Sequence, residues 1–287
     1  MDIASLVLQF GSTAAFLLLS AVGLAVIFGM MGVVNLAHGE LIMLGAYGTC
    51  LSYSHGLPLA AAMICGVGLA TLAGMILEAT IIRRLYGRPA ESLVVTWAVG
   101  LIVSQGTLII LGPSLPSIPT PFGSFVLGTK SFSAYRIVLI AASVLSLLAV
   151  HFLLKRTRFG LHARATMQNP EIARAIGIDN AKIYRWTFAL GSALAGVTGA
   201  LYAPTMSIVP TMGGSFIVQA FVTVVTGGGN LLYGTLPAAS GLGFIQTALT
   251  AAFGNLLGVL GLLAAVIVSA GVLPNGLAYY LSGKRVS

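Results

Sequence analysis

His38 and Glu40 stand out, set in the polar run Asn35-Leu36-Ala37-His38-Gly39-Glu40 between two apolar stretches. Ionisable side chains in such a setting are expensive to keep and have a reason to be there. They contact a passing solute, hold a metal, or satisfy backbone groups freed by a break in a helix. The metal reading is the weakest of the three. No HExxH spacing exists, and His55, His151 and His162 lie far along the chain. No Ser–His pairing for a membrane-embedded hydrolase is present either, so no catalytic residue is assigned. The nearest approach to a phosphate loop is Gly123-Ser-Phe-Val-Leu-Gly128-Thr129-Lys130-Ser131. It carries one residue too many before the lysine and follows no strand, so it reads as chance.

The elements that position these residues follow from composition. Of 287 residues 57% are hydrophobic and 7% charged, with mean hydropathy +1.01. That is too little charge to wet a soluble surface. The long apolar runs show no strand-like alternation. A backbone in lipid must satisfy its own hydrogen bonds, so these runs are predicted to be helices. Full spans are expected at Leu6–Met31, Leu57–Ile82, Leu93–Leu111, Ile137–Leu154 and Trp186–Leu201. Residues 32–53 cross only as a broken or re-entrant helix. Phe216 to Leu273 holds either two spans plus a re-entrant piece or three spans. The expectation is an all-α integral membrane protein of about eight helices, forming a single transmembrane domain over 1–287. Cys50 and Cys65 both sit in apolar runs and read as small buried hydrophobes. The N-terminus lacks a basic n-region, so the first helix is expected to direct insertion itself.

The net charge of +8 reflects basic loops rather than nucleic-acid binding. The loop at 155–185 holds Lys155, Arg156, Arg158, Arg164, Arg174, Lys182 and Arg185 against Glu171 and Asp179. The 83–91 loop holds Arg83, Arg84 and Arg88 against Glu91, and Glu78, about a turn from Arg83, is expected to snorkel or pair at that interface. Both loops are placed in the cytoplasm. The loop from Gly112 to Arg136, with Pro113, Pro116, Pro119 and Pro121, is placed outside. The N-terminus then lies outside. Lys284-Arg285 favour an inner C-terminus, in conflict with an eight-span count.

Within the larger basic loop, Pro170–Ile176 reads as a short helix. Asn169 caps it, Pro170 takes the first position, Glu171 faces the positive dipole end, and Gly177 stops it. So short a helix is unstable alone, and its apolar face of Ile172, Ala173 and Ile176 needs a partner. That partner is either the membrane surface or a soluble protein.

This loop resembles the coupling loop of bacterial ABC importer permeases. The chain as a whole is similar to permeases of the branched-chain amino acid type, a family that includes urea and short-amide permeases. Three blocks carry the likeness: Gly29 to Glu40; Arg164-Ala165 through Asn169, Ala173, Gly177 and Ile178; and Gly227-Gly228-Gly229-Asn230 through Gly234. The resemblance implies docking to two ATP-binding-cassette ATPase subunits through Arg164, Asn169, Pro170, Glu171, Ala173, Arg174 and Gly177. It implies a second, related permease subunit, an extracytoplasmic solute-binding protein, and residence in the bacterial plasma (inner) membrane. The ATP and Mg would be used by the partners, with no cofactor bound by this chain. Asn35, His38, Glu40, Gln105 and Gln219 are candidates for the substrate path. Gly227, Gly228 and Gly229 form either a tight re-entrant turn or the bend of a gate helix. The rival class is an ATP-independent channel or ion-coupled carrier. It would need no docking helix and should carry buried charges along its spans.

Overall fold

The computed structural model describes residues 3–127, 130–228, 230–273 and 276–281. In chain order the elements are α1 (Ile3–Met31), α2 (His38–Ser54), α3 (Leu59–Thr80), α4 (Pro89–Leu111), the strands β1 (Ser124–Leu127) and β2 (Lys130–Ser133), α5 (Tyr135–Arg156), α6 (Arg158–Gln168), α7 (Pro170–Ala175), α8 (Asn180–Tyr202), α9 (Met212–Gly227), α10 (Leu236–Phe253), α11 (Asn255–Val272) and α12 (Gly276–Leu281). Among the described residues, seven helices are long and apolar enough to span a membrane, α9 is a shorter apolar helix, and α2 has 17 residues. Phe216–Leu273 therefore resolves into three helices. The side of the C-terminus expected from Lys284 and Arg285 rests on residues outside those described.

The chain forms two compact units, one of residues 23–118 with 148–218, the other of residues 1–22 with 119–147 and 219–287. The first is built on α2, α3 and α8 in close backbone contact. A Cβ on Gly66 of α3 would strike the Gly45 carbonyl oxygen of α2, and one on Gly199 of α8 would strike the Ile42 carbonyl. On Gly196 it would fall 2.9 Å from Val67 Cα. Helices in lipid lack a hydrophobic drive to associate and rely on such close approach. Hydroxyls inside this packing fold back on their own helices, Thr49 donating to the Gly45 carbonyl at 2.8 Å and Ser192 to that of Phe188 at 2.8 Å. Cys50 is buried here, its thiol 3.1 Å from the Pro116 carbonyl, whereas Cys65 is exposed, contrary to expectation.

In the second unit the outer end of α1 packs on α10. Phe10 and Phe244 meet edge to face at 6.2 Å, and a Cβ on Gly243 would lie 3.1 Å from the Ala14 backbone. The proline-rich loop ends in an antiparallel hairpin that the sequence reading did not anticipate. Ser124 pairs with Ser133, Phe125 faces Phe132, and the Arg136 guanidinium lies 5.3 Å above the Phe132 ring.

Because α8 meets α2 through backbone, Gly199→Val is expected to lower the detergent melting stability by about 1–3 kcal/mol. Gly68→Val, whose side chain would enter open space, should leave the melting temperature unchanged.

Candidate functional site

Past Met31 the chain leaves helical geometry for residues 32–37 and resumes at His38. The predicted break is therefore present, with Glu40 in the first turn of α2. Its freed backbone groups are met by side chains. Asn35 Oδ1 accepts the Ala37 N–H at 3.1 Å. Thr96 Oγ1 accepts the Leu36 N–H at 2.9 Å and donates to the Ser92 carbonyl at 2.7 Å. Asn35, His38 and Thr96 are fully buried, and His38 packs against Gly23, where a Cβ would lie 2.8 Å from its Cε1. The end of the break lies beside the middle of α4, where a Cβ on Gly100 would be 3.9 Å from Ala37 Cα and 3.6 Å from Glu40 Cγ.

A second interrupted segment reaches the same place. Beyond α8 the chain runs down α4: the Leu115 N–H donates to the Ile208 carbonyl at 3.0 Å, and Ser104 Oγ donates to the Pro210 carbonyl at 2.9 Å. Then α9 begins. A Cβ on Gly39 would strike the Gly213 carbonyl, and one on Gly213 would fall 2.6 Å from Glu40 Oε2. The first turns of α2 and α9 thus converge on the Glu40 carboxylate, where both positive dipole ends favour a negative charge. Glu40 Oε2 is enclosed and has no hydrogen-bond partner. Gly213 and Ser104 were missed by the sequence reading. The available signal was the Pro210-Thr-Met-Gly213-Gly214 text between apolar runs.

Of the expected path residues, Asn35, His38 and Glu40 are brought together. Gln105 is exposed, while its neighbour Ser104 makes the contact with the Pro210 carbonyl. Gln219 lies in the other compact unit, half-buried, with Oε1 lacking a hydrogen-bond partner. Gly227 and Gly228 form a tight turn at the end of α9. Gly228 has φ +77°, and a Cβ on Gly227 would lie 2.8 Å from the Gly234 carbonyl carbon. Gly229 is outside the described residues.

The basic loop contains two helices where one was expected. Thr157 caps α6, and the Arg164 guanidinium donates to the Leu154 carbonyl. In α7 the Asn169 side chain accepts the N–H groups of Glu171 and Ile172, both at 3.0 Å, and Pro170 holds the first position. The helix stops at Ala175 with Ile176 as its cap. Gly177 takes φ +89°, its N–H bonding the Arg174 carbonyl and the Ile178 N–H the Ala173 carbonyl, both at 3.0 Å. Ala173 is 1% exposed and packs inward, whereas Ile172 at 60% and Ile176 at 69% face out. The expected apolar face is therefore divided. Asn180, at the start of α8, ties the loop down: its amide donates to the Pro170 carbonyl at 2.7 Å and its oxygen accepts from Thr166 at 3.2 Å. Asp179 caps α8 through the Lys182 N–H at 3.1 Å, a bond that holds its carboxyl below the usual range.

Glu78 does not pair with Arg83. It is 2% exposed, accepts a 2.5 Å hydrogen bond from the Tyr86 hydroxyl, and faces Arg185 Nε at 3.5 Å. Proximity in sequence to Arg83 lost to burial, because an enclosed carboxylate needs partners that can follow it inward. Burial first, and then the bond to Glu78, push the Tyr86 phenol well above its usual range, so it stays a donor.

This arrangement, with two interrupted helices meeting beside the middle of α4 and a capped helix in the basic loop, is that of a multi-pass membrane permease. The chain belongs to the family described as branched-chain amino acid transport system / permease component, which matches residues 6–273. It is similar to the Escherichia coli (strain K12) high-affinity branched-chain amino acid transport system permease protein LivH, 27% identical over 80% of this chain and 78% of that one. It is also similar to the probable branched-chain amino acid transport permease protein LivH of Methanocaldococcus jannaschii, 29% identical over 82% and 77%. In fold alone it matches PsaBC from Streptococcus pneumoniae in complex with Fab, with TM-score 0.50 and 16% identity over 96% of this chain and 94% of that one. The family is one of transport subunits, and this chain is a transport subunit rather than an enzyme.

Asn169→Ala should cost α7 about 1 kcal/mol of local stability. Hydrogen exchange at the Glu171 and Ile172 amides, now without their acceptor, would then run roughly five-fold faster; unchanged exchange would show that the cap does not hold the helix.

Proposed function

We propose that this chain is the transmembrane permease subunit of an ATP-binding-cassette importer, taking up branched-chain, hydrophobic amino acids by alternating access in the bacterial inner membrane. The observation that carries this is α7. A helix too short to persist alone is capped at both ends and presents Ile172 and Ile176, one turn apart, to the outside. Such a pair suits an apolar cleft on a soluble partner. Two ATPase subunits would seat on it and its counterpart in a second, related permease. ATP and Mg would act only there, and an extracytoplasmic binding protein would deliver the solute. The surrounding Arg164, Asn169, Pro170, Glu171, Ala173, Arg174 and Gly177 shape the element rather than all touching the partner, since Ala173 faces inward.

Asn35, His38 and Glu40 line the path in this reading. The names of the similar permeases support an amino acid as the solute. So does the chemistry at Glu40, because a carboxylate in a low-dielectric setting selects an ammonium group, which urea and short amides lack. Those neutral amides are the second reading within the family.

Two measurements test the proposal. Ile172→Asp with Ile176→Asp should abolish co-purification of the ATPase subunits and energised uptake while membrane insertion stays intact. Uptake that survived in this variant would replace the importer reading with an ATP-independent carrier. Glu40→Gln should reduce leucine uptake roughly ten-fold or more, the scale of one lost charge-assisted contact. Urea uptake by the unaltered complex in place of leucine uptake would instead favour the amide reading.

A further inference from the structure

Glu78 is buried and takes no part in the solute path proposed above. Its two oxygens have different fates. Oε1 takes the Tyr86 hydroxyl at 2.5 Å. Oε2 is enclosed and makes no hydrogen bond, facing Arg185 Nε at 3.5 Å. The Arg185 side chain is half exposed, so this is an ion pair with room to tighten or to part. A buried carboxylate so placed is costly unless its partner stays close.

The partners of Glu78 come from two bodies. Tyr86 belongs to the turn between α3 and α4 and packs against the cluster of Ile27, Val33, Ala37, Leu77, Ile82 and Phe188, in which Val33 and Ala37 belong to the break. Arg185 belongs to the first turns of α8, and the neighbouring Tyr184 lays its ring against Tyr86 at 4.8 Å. The same end of α8 is fastened to α7 through Asn180 and the Pro170 carbonyl at 2.7 Å, and Arg174 of α7 acts electrostatically on the Tyr184 phenol. Arg185 and Tyr184 thus share one helix end with the α7 anchor, and they face the Glu78 carboxylate of α3 and the Tyr86 phenol of the α3–α4 turn.

We propose that Glu78 is a positioning residue for energy coupling: through Arg185 and Tyr86 it joins the base of α8 to the α3–α4 turn, so that movement of α7 reaches the break. This rests on the reading of α7 as the ATPase docking helix. The Arg185 contact is the joint that changes length during the cycle, and Tyr86 is the fixed side.

The test uses the full complex in proteoliposomes, reading ATP hydrolysed per solute taken up. Glu78→Gln keeps an acceptor for Tyr86 and removes the charge that holds Arg185. It is expected to raise that ratio roughly five-fold or more, the low end of ordinary coupling between sites, while the complex assembles. Combining Glu78→Gln with Arg185→Gln removes the unpaired charge as well. A purely structural role predicts that stability and ratio both return to the unaltered values in that double variant, whereas a coupling role predicts that stability returns while the ratio stays raised. A normal ratio in Glu78→Gln, or its recovery in the double variant, overturns the inference. Failure of the unaltered chain to hold ATPase subunits at all would instead remove the docking reading beneath it.

Discussion

A backbone inside lipid has no water to bond with, and the rest of this structure answers to that constraint. Continuous helices meet it within themselves. An interrupted helix does not, and here each interruption is met by a side chain chosen for reach. Thr96 and Asn35 take up the N–H groups at the 32–37 break, and Ser104 caps the descending segment at the Pro210 carbonyl. With those groups satisfied, two helix starts can face each other around one carboxylate. Without them, neither interruption would be stable there.

The loop beneath obeys the same rule in water, with weaker penalties. Its helix ends are closed by Asn169 and Gly177, and its orientation is set from α8 by Asn180. The pieces that would meet partners are thereby held by pieces that stay inside the chain. Ala173 belongs to the second group and Ile172 and Ile176 to the first, a division set by which face of α7 the loop covers.

Much of this was legible in the sequence where the cause is local. The cap, proline and glycine of α7 act within a few residues, so reading them gave the helix to within one position. His38 and Glu40 announced the break because charge in an apolar stretch is rare. What depends on distant partners was not legible. Glu78 looked like a neighbour of Arg83, yet tertiary packing carries it to Arg185 and Tyr86. Gly213 reads like any packing glycine until the fold brings Glu40 over it. The hairpin was hidden by the prolines before it, and α6 by its polar face, which made a helix look like loop.

The glycine contacts of α8 also govern how that helix can move. Helices that interlock through side chains shift in steps, because each knob must leave one hole for another. Where Gly196 and Gly199 lie flat against the backbone of α3 and α2, there are few knobs to lift. What sets the register of α8 is then a few side chains seated in glycine notches, Ser192 against Gly74 of α3 and Ile27 against Gly191, so the helix is keyed at those points and smooth between them.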